Sequence, residues 1–126
     1  MKPDFQKAEQ KANELKEHGA DCPLQILKSL TNVTAASFAD ASSRYGIDRE
    51  ALISMFDIEN RDAITMFRDG RYLVIYNQEL PCKVIRLAVA RELGHIILGH
   101  DGSRPEDVRM EDANYFAKCF LGVEAG

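Results

Sequence analysis

The chain has no continuous apolar span of membrane length, no dense cluster of Lys and Arg, no Cys-x-x-Cys pair, and no repeat or low-complexity tract. Each absence removes a class of function. Met1 to Gly19 is highly charged and lacks the apolar run of a signal peptide, so a cytoplasmic protein with no membrane partner is expected. The net charge is −4, and phosphate neutralisation needs clustered cations, which argues against direct nucleic-acid binding. Cys22, Cys82 and Cys119 are odd in number and far apart, so the expectation is reduced thiols packed as small hydrophobes, not a disulfide framework or a thiolate metal site.

With 45% hydrophobic and 29% charged residues, the composition is that of an ordinary globule, and 126 residues suit one core. No interdomain linker is visible. The expected organisation is a single domain over 1–126, with an N-terminal helical segment (1–30) and a core (31–126).

In chain order, Asp4 to Glu17 places Phe5, Ala8, Ala12 and Leu15 at helical spacing against a charged face, and Gly19 is a stop signal. Pro23 opens a second short helix carrying Leu24, Ile26, Leu27 and Leu30. Thr31 to Ser37 is small and β-branched, the composition of a short strand. Phe38 to Tyr45 predicts a helix ended by Gly46, and Asp48 has the chemistry to cap the next, which carries Ala51, Leu52, Met55 and Phe56. Two apolar runs, Ala63 to Phe67 and Tyr72 to Tyr76, flank Asp69-Gly70 and predict a β-hairpin. Pro81 opens a long helix with Gly99 at its end, and Ser103 to Glu106 fits a capping box for a last helix that turns Val108, Ala113, Phe116, Ala117 and Phe120 inward.

The long helix holds the chemistry. From Leu87 to Leu98 every residue but Arg91, Glu92 and His95 is Leu, Ala, Val, Ile or Gly, so this helix should lie in the interior. At about 100° per residue, Arg91 and His95 stand roughly 40° apart and Glu92 and His95 roughly 60° apart, giving a buried helix one polar corner. Buried charges are costly unless paired or metal-bound. His-Glu-x-x-His on a helix offers two imidazoles to zinc and a Glu to deprotonate the bound water. Here the five residues read Arg91-Glu92-Leu93-Gly94-His95, with a guanidinium, which has no lone pair for a metal, in the first ligand position. His100 lies five residues beyond His95, about 140° round a regular helix, and is expected to face the helix's negative C-terminal end instead of sharing a metal.

Tyr76-Asn77, the run Arg86 to His100, and Asp112-Ala113-Asn114-Tyr115-Phe116-Ala117 together resemble the ImmA/IrrE family of zinc metallopeptidases, in spacing and in order, over roughly Ala36 to Leu121. The resemblance implies an α+β, zincin-like fold: a small antiparallel or mixed sheet with a hairpin, packed on a buried motif helix and surrounding helices. It implies that the sheet borders a substrate cleft, where an edge strand can pair with an extended peptide. It also implies a third zinc ligand from a carboxylate ahead of Ala-Asn on the last helix, where Met110 and Glu111 compete for the place. With Met110 there, two of three ligands are gone; with Glu111, one is.

Two functions follow from the resemblance. In the first, the chain is catalytically impaired and binds a protein or peptide partner such as a helix-turn-helix repressor, with no cofactor and with Arg91 paired to Glu92, Glu111 or Asp112. In the second, it is an active zinc endopeptidase that cleaves such a repressor, with Glu92 as general base, His95 on zinc, Glu111 or else Asp112 completing the site, the Arg91 side chain swung out, and Asp112 and Asn114 otherwise supporting the ligands.

Overall fold

The computed structural model describes residues 4–17, 19, 22–48, 50–54, 62–99 and 106–122, without the side chains of Arg68 and Glu106. The elements are α1 (Phe5–Glu17), α2 (Pro23–Ser29), β1 (Val33–Ser37), α3 (Phe38–Tyr45), a helical run at 50–54 labelled α4, β2 (Ala63–Arg68), β3 (Arg71–Tyr76), α5 (Cys82–Ile97) and α6 (Glu106–Leu121). The fold is α+β, with a mixed three-stranded sheet in the order β1-β3-β2. Among the described residues no helix is long and apolar enough to cross a membrane.

The boundaries follow local chemistry. Pro23 occupies the first turn of α2, where its missing N–H is no loss. Ser37 ends β1 and caps α3, its Oγ accepting from the Asp40 N–H at 3.1 Å, while Gly46 ends α3 in the left-handed conformation. The Asp48 carboxylate accepts from the Glu50 N–H at 3.2 Å, as a cap for α4 should. Leu52 of that helix is buried, while Met55 and Phe56 lie outside the described residues, as do His100 and the Ser103 end of the expected capping box.

The hairpin turn sets the sheet. Asp69 and Gly70 have φ of 53° and 77°, both positive as a two-residue type I′ turn requires. That fixes β2 against β3 with Thr65 opposite Val74 and Ile64 opposite Ile75. Alternation then separates two cores. Val33 and Val74 face a cluster with Ala8, Ala12, Leu27, Val89, Leu93, Phe116 and Phe120, built by α1, α2, α5 and α6. Ala36, Ile64 and Ile75 face Phe38, Ala41 and Leu52 of α3 and α4. β1 runs parallel to β3, with α3, α4 and β2 in the crossover.

Packed against both α5 and α1, α6 joins the helical layer together. Hydrogen bonds pin the ends of that α1 contact: Asp112 Oδ1 accepts from the Asp4 N–H at 2.7 Å, and Lys16 Nζ donates to the Cys119 carbonyl at 3.1 Å. Ala8 and Ala12 are buried as expected, but Phe5 is not a core residue; it lies 42% exposed, stacked on Tyr115 with ring centroids 4.6 Å apart.

Candidate functional site

The site begins with α5. Its central residues Ala88, Val89, Ala90, Leu93 and Gly94 are buried, as the apolar run predicts, while Lys83, Arg86 and Leu87 of its first turns are exposed. Glu92 is buried with them, at 4% exposure. Arg91 and His95 are half-buried. The polar corner therefore lies at the margin of the core, with its carboxylate deepest.

What reaches Glu92 is set by the hairpin. Because Thr65 pairs with Val74, it shares the sheet face that looks onto α5, and its hydroxyl donates to Glu92 Oε2 at 2.5 Å. Leaving a buried acceptor of this kind unmatched costs about 1–3 kcal/mol, enough for the bond to hold one rotamer of the acid. A slip of one residue in the β2–β3 register would turn Thr65 to the opposite face and remove the bond.

Arg91 stands beside an acid outside the expected set. Its Nη2 stands 4.0 Å from Asp62 Oδ2, in place of the expected pairing with Glu92, Glu111 or Asp112. Asp62 is where it is because of Asn77. The Asn77 N–H donates to the Asp62 carbonyl at 3.2 Å, while the Asn77 Oδ1 accepts from the Glu79 N–H at 3.0 Å and shapes the turn into α5. At 4.0 Å, with the two side chains 27% and 44% exposed, the pair is at the limit of an ion pair and contributes a fraction of a kcal/mol, roughly. The Arg91 Nε is closed off from solvent and has no hydrogen-bond partner.

The last helix settles which side chain faces inward. Ala113 and Phe116 lie directly on Gly94: a Cβ added to Gly94 would stand 2.9 Å from Phe116 Cδ1 and 3.3 Å from Ala113 Cα. Round the α6 axis, Met110 is about 60° from Ala113 and Glu111 about 160° from it. Accordingly Met110 is half-buried on the packed side and Glu111 is exposed on the far side. Asp112 is 1% exposed, directed to the start of α1, and Asn114 is half-buried. Thus the structure brings Arg91, Glu92 and Thr65 together near Asp62, but carries Glu111 away and assigns Asp112 to the α1 junction.

These placements test whether the residues fit a zinc ion. A catalytic zinc needs about three protein ligands. Among the described residues, no group of three or more His, Cys, Asp or Glu side chains is arranged to hold a metal. Glu111 stands on the outer face, Glu92 is engaged by Thr65, and a fixed cation occupies position 91. Among the described residues, the set does not fit the ion.

At the end of β3, the Tyr76 phenol is pushed above its ordinary range by burial, with the negative charge of Asp40 adding to the effect. The residues that sequence reasoning missed are Asp62, Thr65 and Asp4. Thr65 was recoverable in principle, since the Asp69-Gly70 turn fixes its face; Asp62 and Asp4 carry no local signal. No known family model and no solved structure matches this chain.

Proposed function

We propose that the chain is a zincin-like domain of the ImmA/IrrE type with an impaired peptidase site, and that it acts as a regulator by binding a protein partner, such as a helix-turn-helix repressor, without cutting it. The observation that carries this reading is the content of the polar corner. A buried helix carries a carboxylate, an imidazole and a guanidinium, with the carboxylate bonded to Thr65 of the edge strand β2, while Asp112 is bonded to Asp4 and Glu111 stands exposed on α6. Such a corner retains charge and hydrogen-bonding groups for recognition while lacking the electron-pair donors that hydrolysis by a zinc-bound water requires.

Fold analogy alone does not decide between binding and turnover; the residues do. Incubating the full chain with a candidate repressor, with added zinc and again with a chelator, separates the two. Co-elution of intact repressor in both conditions is the expected result. Fragments that form with zinc and vanish with the chelator would establish the peptidase instead.

A further inference from the structure

We infer that Arg91 is the receptor for a carboxylate on the bound segment, and that Asp62 is an internal acid standing in for it in the free chain. The inference rests on the binding reading above and names the chemistry of what is bound. A guanidinium carries five N–H donors in a planar fork, and one edge of that fork, formed by Nε and Nη2, matches the two oxygens of a carboxylate. In this structure that edge is approached but not engaged. Nη2 is 4.0 Å from Asp62 Oδ2, beyond hydrogen-bond length, and Nε has no partner although it is closed off from solvent.

A buried donor left unmade is a cost that native structures seldom carry without a use. Two features let a carboxylate reach the fork. Arg91 keeps 27% of its side chain exposed although Nε itself is covered, and Asp62 is 44% exposed just ahead of β2, its backbone carbonyl held by the Asn77 N–H. Its side chain can therefore swing aside without disturbing the strand. The surroundings also select the kind of anion. Asp62 and the neighbouring Glu92 stand at the same corner, so repulsion grows with the charge of the incoming anion and opposes a monoanion less than a dianion. That favours a carboxylate over a phosphate. Acidic side chains and chain termini share this chemistry.

The experiment follows the Arg91 Nε–H resonance of the full chain, labelled with 15N-arginine, during titration with defined probes: sodium acetate, an N-acetylated and C-amidated Ala-Glu-Ala peptide, its Ala-Gln-Ala counterpart, an N-acetylated Ala-Ala-Ala peptide with a free carboxyl end, and inorganic phosphate. Acetate and the Glu peptide should shift the resonance saturably, with the Gln peptide about tenfold weaker or more, as loss of one charge-assisted fork implies. Binding of the free-carboxyl peptide above that of the Glu peptide assigns the source to a chain terminus; the reverse assigns it to an acidic side chain. Asp62→Asn, which removes the competitor at a half-exposed position, should tighten acetate binding severalfold, and Arg91→Gln, followed through the Glu92 and Thr65 backbone amides of the uniformly 15N-labelled chain, should lose the preference for Glu over Gln.

Equal binding of the Glu and Gln peptides, weaker acetate binding in Asp62→Asn, or phosphate binding tighter than acetate would each overturn the inference. A repressor captured equally by the natural chain and by Arg91→Gln leaves the binding reading intact and removes this one. Carboxylate binding as expected, with no repressor captured, does the opposite.

Discussion

Replacing Gly94 by alanine tests the closest approach of the two helices that frame the site. The added Cβ would sit 2.9 Å from a Phe116 ring carbon and 3.3 Å from the Ala113 Cα, so the helices must part by roughly half an ångström to restore ordinary contact near 3.5–4 Å. Neither neighbour has room to yield. Phe116 is fully buried and stacked on Phe120 with centroids 6.0 Å apart, and the Ala113 contact is backbone. Overpacking of this kind costs about 1–3 kcal/mol, and a ring plus a main-chain atom place it in the upper part of that range. Gly to Ala in a helix interior returns about 1 kcal/mol. The net expectation is a loss of about 1–2 kcal/mol. At about 2.1 cal/mol/K of unfolding entropy per residue, that lowers the melting temperature of a chain this size by roughly 4–8 °C. Thermal unfolding followed by circular dichroism measures it. Phe116→Leu in the same background should recover part of the loss, a coupling of at least about 0.5 kcal/mol in a double-mutant cycle. If Gly94→Ala instead raises the melting temperature by the propensity gain alone, with no coupling to position 116, the described approach of α5 to α6 is wrong.

Three further outcomes follow from the same structure. Gly70→Ala places a side chain at φ 77° with nothing within 4 Å to strike, so only the backbone term applies: a loss of about 1–2 kcal/mol, read by thermal melting, with Gly70→Asn costing less. Asp112→Ala removes the acceptor for the Asp4 N–H and should cost about 1–3 kcal/mol, with hydrogen exchange accelerating in α1 more than in α5. The Tyr76 phenol is held above its ordinary value of about 10 by burial first and Asp40 second, so the fold favours its neutral form. Its contribution is complete below that ordinary value and is lost as pH rises through the higher folded value; Tyr76→Phe should flatten the fall in stability above about pH 10, measured by denaturant unfolding.

Much of the framework was legible because its signals are local. Asp69-Gly70 announced the hairpin, Pro23 and Gly46 marked helix ends, and the apolar run around Leu93 identified a buried helix. The polar corner was visible for the same reason, since helical spacing alone gathers Arg91, Glu92 and His95. What escaped was long-range or depended on the phase of a helix. The Asp4–Asp112 bond spans 108 residues and has no signature at either end. Asp62 looked like any loop acid until Asn77 fixed its backbone beside Arg91. Whether Met110 or Glu111 faced the packed side turned on how α6 is rotated, and that is set by Gly94 accepting Ala113 and Phe116, a contact between helices that no single stretch encodes. Phe5 illustrates the limit of periodicity: its spacing matches the buried face of α1, but at the helix's first residue it overhangs the core and stacks on Tyr115 instead.

The most direct measurement is the zinc content of the purified chain beside Arg91→His and Arg91→His/Met110→Glu, each equilibrated with excess zinc and then dialysed. The account predicts no retained zinc in the natural chain, none in the single variant, and about one equivalent in the double variant, which adds an imidazole and a carboxylate at half-buried positions of α5 and α6. One equivalent of zinc in the natural chain, bound through His95, would contradict it.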